Sequence, residues 1–278
     1  MLEKGATGAG DYPILSCFGS SPERGTVISN LSPAEVTRYA LQMTLDGWGR
    51  EAQERLKSSQ ILMAGAGGLA SATALYLLAG GIGAIRLVDN SRVSLADLSH
   101  QVLFRERDLD RAKATVAERR LKEINPFVTV ASHVKALSEY NVFRLAAGCN
   151  LLIDASNNPG AGACLNLAAV KQKIPLVQAW VWEMTGRLTT FWPGHGPCLA
   201  CSFLESPSTF RPALLGPLPG IIGTLQALEV LRILGGMEPG LLGRVLIFKG
   251  PEFKFVEKPI RANPQCPVCA ARSSKAIS

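Results

Sequence analysis

Two cysteine pairs and one glycine-rich turn are the places in this 278-residue chain where residue type and spacing promise chemistry. Cys198 and Cys201 stand in "GPCLACSF" and Cys266 and Cys269 in "NPQCPVCA", and the two residues between the members of each pair let both sulfurs face one ion. Two such pairs far apart in sequence fit a tetrahedral zinc with four thiolates. That coordination leaves no open position for water, so the expected role of the ion is structural, tying the C-terminal tail to the middle of the chain. Reduced thiols or a redox pair are the alternative for the same residues. His195, nearby, reads as a loop residue rather than a ligand.

The glycine turn is "ILMAGAGGLA", in which Gly65, Gly67 and Gly68 follow a strand-like run and precede an apolar helix. Glycines in that setting permit a tight turn, and backbone N–H groups at the helix start can face a phosphate. Ala70 fills the last glycine position of the fingerprint, and Asp89, closing the next strand-like run "AIRLVDN", stands where a carboxylate takes ribose hydroxyls. These residues point to an adenine nucleotide and leave NAD and ATP both open. A helix packed close on a strand with no ligand is the third possibility.

The elements that must position these groups alternate. "QILMAGA" reads as a buried strand, residues 71–80 as a helix ending at "GGIG", and "AIRLVDN" as a strand. A helix over 111–124 stops at Asn125 and Pro126, followed by a strand in "VTVASHVKA", a short helix in "EYNVFRLAAG" and a strand in "LLIDAS". Strands alternating with helices predict an α/β fold with a doubly wound, Rossmann-like, mostly parallel sheet. After residue 160 the pattern changes: "PLVQAWVWEMTGRLTTFWPG" reads as an antiparallel hairpin, "GIIGTLQALEVLRILGG" as a helix and "RVLIFKGPEFKFVEK" as closing strands, a C-terminal antiparallel extension. Residues 1–30, rich in Gly, Ser and Pro, read as an irregular N-terminal arm, and 31–278 as one nucleotide-binding domain carrying the zinc-binding segments 198–201 and 266–269.

Composition narrows the partners. The net charge of +7 suits an acidic partner, but much of the excess lies in residues 105–124, where Ala112, Val116, Ala117, Leu121 and Ile124 fall at helical spacing and the charges between them read as a solvated face. An aromatic content of 6% gives little support to a base-stacking surface, so nucleic acid is not expected. No apolar run reaches the length of a membrane span without Gly or a charge, and the N-terminus lacks the order of a signal peptide, so the expectation is a cytoplasmic protein without membrane contact.

Taken together, "LSPAEVTRYALQMTLDGWGREAQERL", the glycine turn, "INPFVTV", "LLIDASNN", "LVQAW", the two cysteine pairs and "GIIGTLQALEVLRIL" resemble, in order and spacing, the ThiF/MoeB/HesA family, bacterial relatives of the ubiquitin-activating enzymes. The resemblance runs over residues 31–272. It implies ATP with Mg²⁺ rather than NAD, a zinc-bearing homodimer, and adenylation of the C-terminal Gly-Gly carboxylate of a small ubiquitin-like sulfur-carrier protein. By the same resemblance Gly65, Gly67, Gly68, Asp89, Gln101, Lys113 and Asn158 hold the nucleotide, while Lys113, His100 and Asn157 occupy the catalytic positions.

Adenylation builds negative charge on the phosphates, which fixed cations and a metal must meet. Here the family's charges have changed. Leu41 replaces an arginine that reaches across the dimer, Ser91, Asp97 and His100 replace Asp, Asn and Arg, Asn157 replaces the metal-organising Asp, and Gly162 replaces an Arg. His100 is expected to be mostly neutral at pH 7. Losing one oxyanion-type contact typically costs about 10²–10³ in rate, so the chain reads as a catalytically impaired member acting through carrier or partner binding. The alternatives are an active enzyme in which His100, Arg38 or Arg50 stands in for lost cations and Asp97 or Asp154 holds Mg²⁺, a mixed dimer with a complete homologue, and an NAD-dependent oxidoreductase. Thr209 lies about where thioester-forming relatives carry a cysteine, and Cys164 reads as a buried helix residue rather than a nucleophile.

Overall fold

The computed structural model describes residues 30–202 and 213–270; the expected arm up to residue 29 and Thr209 lie outside the described residues. Its strands are β1 (Gln60–Ala64), β2 (Ala84–Val88), β3 (Thr129–His133), β4 (Leu151–Asp154), β5 (Leu176–Trp182), β6 (Thr185–Phe191), β7 (Arg244–Lys249) and β8 (Lys254–Pro259). Its helices are α1 (Pro33–Arg38), α2 (Ala40–Met43), α3 (Gly49–Lys57), α4 (Gly68–Gly80), α5 (Lys113–Ile124), α6 (Val142–Ala146), α7 (Pro159–Gln172) and α8 (Pro217–Gly235).

All eight strands join one sheet in the order β3-β2-β1-β4-β5-β6-β7-β8. The first five in that order run parallel, with Ile61 opposite both Ile85 and Leu151, and β5 to β8 turn antiparallel, as the changed sequence pattern predicts. Strand side chains alternate between faces. Ile61 and Met63 therefore meet the layer of α4, α5 and α8, while Leu62 and Ala64 meet α6 and α7. A parallel strand covered on both faces has to be a near-continuous apolar run, which is what "ILMA" supplies.

The apolar helix α8 is long enough by composition to cross a bilayer, yet half of it is buried inside the fold. Gln226 fixes it there. Its amide nitrogen donates to the carbonyls of Asp154 (2.9 Å) and Val177 (3.1 Å), and its oxygen accepts from the Thr73 hydroxyl at 2.9 Å. Trp180 is buried too, and Trp182 lies half-buried with the Arg187 guanidinium 4.7 Å from its ring centre, so this strand contributes its tryptophans mainly to the fold.

Three local differences from the sequence reading have physical causes. Helix α4 begins at Gly68 rather than 71, because the extended Gly67 already serves as its N-cap. Helix α7 is foreshadowed in the sequence only by the reading of Cys164 as a helix residue, with no bounds: its glycines and alanines carry no amphipathic period, and its start is set by the Asn158 side chain, which accepts from the Ala161 N–H at 3.1 Å, followed by Pro159 at the first helical position. The basic segment 105–124 is more than a solvated face. Asp108 is fully buried and accepts from Arg119 at 2.7 Å and from Arg120 at 3.4 Å, tying the loop before α5 onto the helix.

Burial alone would raise the Asp108 pKa, but the hydrogen bonds from Arg119, the Arg105 N–H and Arg120 hold its carboxyl below the ordinary carboxylate range. The Asp108 contribution to stability is thus complete above the unfolded-state pKa of about 3.9 and is lost as the pH falls through the lower folded value. Asp108→Asn should cost about 2–3 kcal/mol in urea unfolding at pH 7, below the usual range for a broken buried pair because Arg119 is half exposed. The gap between variant and wild type should close in acid.

Candidate nucleotide site and metal centre

In an open sheet of this order the chain leaves β1 toward β2 on one side and returns through β4 on the other, and the crevice beyond the strand ends at that reversal is the natural ligand site. The loops after β1 and β4 meet there. Gly65 has φ +99°, and a Cβ on it would lie 2.6 Å from the Ala155 carbonyl oxygen and 2.8 Å from Ser156 Cα. Only glycine satisfies both the backbone angle and the contact. A cavity of about 260 Å³ opens beside it, framed by Gly65, Asp89, Ser91, Lys135, Asn158 and Cys164 among others. Above it α4 starts without a side-chain cap, so the backbone donors of its first turn are free of any capping group.

Asp89 braces this turn. Its carboxylate accepts from the Ala66 N–H at 2.8 Å and from the Ser91 N–H at 2.6 Å while lining the cavity, leaving lone pairs for a ribose.

The positions of Lys113, His100 and Gln101 converge, and Asp97 joins them. Lys113, nearly buried at the first residue of α5, lies 2.9 Å from Asp97 Oδ1. The same carboxylate accepts from the Gln101 amide (2.6 Å) and from the N–H and hydroxyl of Ser94 (both 2.7 Å). Against the cost of burial, Ser94 and Lys113 hold the Asp97 pKa below the ordinary range, so it is ionised at neutral pH. Gln101 Nε2 also sits 3.2 Å from His100 Nε2 and faces Gly67, while Gln101 Oε1 is buried without a hydrogen-bond partner. Burial lowers the His100 pKa; Asp97 pulls it up and Lys113 pushes it down further, and the net direction keeps the imidazole neutral at pH 7, as the sequence suggests.

Asn157 points elsewhere. At φ +55° it turns its amide onto β5, donating to the Val181 carbonyl at 2.7 Å and accepting from the Val181 N–H at 2.9 Å. A carboxylate could do only the second. Asp154, at the end of β4, is fully buried, accepts from Ser156 and Gln178, and has its pKa raised by burial. A Cβ at Gly162 would come within 2.8 Å of Asp154 Oδ2, so a larger residue there would displace this arrangement. The two carboxylates considered as metal holders are therefore committed, Asp97 to Lys113 and Asp154 to its buried polar pocket. Arg38 donates to the Ile124 carbonyl and Arg50 pairs with Glu54, and neither lines the cavity.

The second site is the cysteine cluster. Cys198, Cys201, Cys266 and Cys269 bring their sulfurs within 4.8 Å of one another, with close approaches of 3.8, 3.7 and 3.4 Å. Four thiolates around an ion at Zn–S distances of about 2.3 Å would be separated by about 3.8 Å, so the set can hold a metal such as zinc. Asn166 of α7 supports the first knuckle: its oxygen accepts from the Leu199 N–H at 2.9 Å, and its amide lies 3.8 Å from Cys198 Sγ. Such outer hydrogen bonds orient metal ligands.

The structure thus gathers Gly65, Asp89 and Asn158 at the cavity, links Lys113, His100 and Gln101 beside Gly67, and sends the Asn157 amide to Val181. Sequence reasoning missed Lys135, which lines the cavity just beyond β3, and Asn166. A lysine just past a parallel strand and an asparagine inside the apolar run "CLNLAA" were the available signals. Cys164 is half-buried on α7 and lines the cavity, with its thiol pKa pushed up by burial.

The model of the ThiF family matches residues 39–268. The sulfur carrier protein adenylyltransferase of Thermus thermophilus is 35% identical over 246 residues, covering 84% of this chain and 91% of that protein. The vegetative HesA protein of Trichormus variabilis is 34% identical, covering 88% and 93%. Among solved structures, MccB of E. coli, crystallised with MccA-N7isoASN, superimposes with a TM-score of 0.77 at 23% identity over 87% of this chain and 76% of that one, a likeness of fold.

Two outcomes test the sites. Gly65→Ala should destabilise the protein by about 2 kcal/mol or more, since it forces both an unfavourable φ and a backbone collision; thermal unfolding measures it. Protein purified without chelator should contain about one zinc per chain, and stripping it, or Cys266→Ser, should lower the midpoint of unfolding.

Proposed function

Since this chain belongs to the ThiF family, we propose that it is a ubiquitin-activating-enzyme-like protein that receives the C-terminal Gly-Gly of a small ubiquitin-like sulfur carrier beside a nucleotide pocket, with attenuated adenylation. The Thermus relative is named an adenylyltransferase of a sulfur carrier, which favours ATP over NAD and a carrier protein over a small redox substrate. The observation that carries the attenuation is Asn157. In the position the family gives to a metal-organising carboxylate, this chain places an amide spent on the Val181 backbone, and Asp154 next to it is buried with its pKa raised. No carboxylate of that loop is left to hold Mg²⁺ against a triphosphate, and a neutral His100 adds no cation. The glycine turn, Asp89 and the cavity still suit the nucleoside end of ATP. The cysteine cluster carries a structural zinc, a chemistry in keeping with a reducing cytoplasmic setting.

The assembly is a homodimer, or a mixed dimer in which a complete homologue supplies the arginine that Leu41 lacks. Leu41 on α2, Leu45 just after it, Tyr76 on α4 and Leu228 on α8 are exposed and offer apolar surface for it.

Carrier-dependent exchange of pyrophosphate into ATP tests the proposal. The wild type should run at least 10²-fold slower than a complete relative assayed beside it, on the order of one lost transition-state contact. Asn157→Asp combined with Leu41→Arg and His100→Arg should recover tenfold or more, while Asn157→Asp alone should lose about 1 kcal/mol of stability through the orphaned Val181 carbonyl. Exchange by the wild type within tenfold of the relative would instead establish a working adenylyltransferase.

A further inference from the structure

A second cavity lies where the turn before α5 folds against that helix. It holds about 320 Å³ and is framed by Arg107, Asp108, Arg111, Arg119, Arg120 and Glu123, sharing no lining residue with the cavity at Gly65. Four guanidiniums against two carboxylates leave it two positive charges in excess. Like charges gathered this closely repel one another unless something opposes them, and within the protein that opposition is incomplete. Asp108, fully buried, gives one oxygen to Arg119 at 2.7 Å and the other to Arg120 at 3.4 Å. The Arg120 side chain is only 13% exposed, its ion pair with Glu123 is long at 3.8 Å, and its Nε is buried without a hydrogen-bond partner. Arg107 and Arg111 are exposed, and among the described residues their guanidiniums have no hydrogen-bond or ion-pair partner. Glu106 and Asp110, on the same turn, do not line the cavity.

We propose that this cavity is a binding site for a phosphoryl dianion, either inorganic phosphate or the phosphate of a monoester. Two negative charges on one small group balance the excess of two positive charges. A tetrahedral phosphoryl group also presents three oxygens at once to guanidinium forks arriving from two elements, the turn with Arg107 and Arg111 and the helix with Arg119 and Arg120. A carboxylate group carries half that charge and one oxygen fewer. Asp108 prepares the site rather than filling it: by holding Arg119 and Arg120 it fixes two of the forks in advance, so the ordering that a ligand must impose falls mainly on Arg107 and Arg111. Occupancy would tie the turn at residues 107–111 to α5 through the bound group.

The test is calorimetric titration of the full-length wild type and of Arg107→Gln/Arg111→Gln with inorganic phosphate, glycerol phosphate and succinate, at constant ionic strength and about pH 8, where the phosphates are dianions. The wild type should bind inorganic phosphate with a Kd of about 1 mM or tighter, at least tenfold more tightly than succinate, a dianion whose charge is split between two carboxylates. The double variant should weaken phosphate binding tenfold or more. Its fold, checked by circular dichroism and thermal unfolding, should be unchanged, because neither arginine has a side-chain partner among the described residues. Glycerol phosphate binding as well as inorganic phosphate sustains the site and identifies a monoester as its ligand; its exclusion sustains the site and identifies the free ion. Three results overturn the proposal: no phosphate binding in the wild type, a double variant that titrates like the wild type, which puts the ion elsewhere on the protein, or succinate as tight as phosphate, which points to an acidic protein segment instead.

Discussion

The approach of the β1 loop to the β4 loop is the constraint on which the site depends. With Gly65 lying against the carbonyl of Ala155 and Ser156 Cα, the ends of the two central strands are held so close that the cavity can only open outward, between Asp89 on one side and Asn158 on the other. The sheet order makes this possible, because β1 is flanked by β2 and β4 and the chain leaves its end toward opposite sides. Gln226 secures the arrangement from behind, binding the carbonyls of Asp154 and Val177. Core packing and site geometry are therefore one problem in this molecule. A change that loosens α8 would reach the cavity through the β4 end.

Around that fixed frame the charges have turned inward. Asp97 is satisfied by Lys113, Ser94 and Gln101, Asp154 by Ser156 and Gln178, and Asn157 by the β5 backbone. Each group is well bonded within the protein, and each bond made within is one withheld from a ligand. Buried polar groups that lack partners are costly, so closing these contacts stabilises the fold. Gln101 Oε1, buried without a partner, is the exception among them. It marks the spot where the network still has an open acceptor, close to the helix start.

The sequence is most informative where local rules and tertiary needs agree. The parallel core was legible because "ILMA" and "LLID" are too apolar for anything but doubly covered strands, and the glycine turn because a glycine at a positive φ between strand and helix has few other uses. The cysteine cluster was legible from spacing alone, since its chemistry leaves little choice of geometry. Partnerships between distant side chains were not. That Asp97 would take Lys113, that Asn157 would bond Val181, or that Asp108 would sink between two arginines depends on how loops fold back over 16, 24 and 11 or 12 residues, and no periodicity encodes that. The bounds of helix α7 were not legible for a related reason: its glycines and alanines pack close to β4 and the knuckle, and small residues carry no stripe.

The cysteine cluster has one more consequence, for the order of events during synthesis. Cys198 and Cys266, like Cys201 and Cys269, are 68 residues apart, and between them lie α8 and the last two strands. Joining such distant points costs an unfolded chain about 4 kcal/mol in loop-closure entropy, beyond a constant term. An ion at these sulfurs could be captured with all four only after α8, β7 and β8 had left the ribosome, because the second knuckle follows them in the chain. Four-thiolate metal binding would then close a loop that contains the whole antiparallel edge of the sheet, so the ion would hold β7 and β8 against the segment that follows β6.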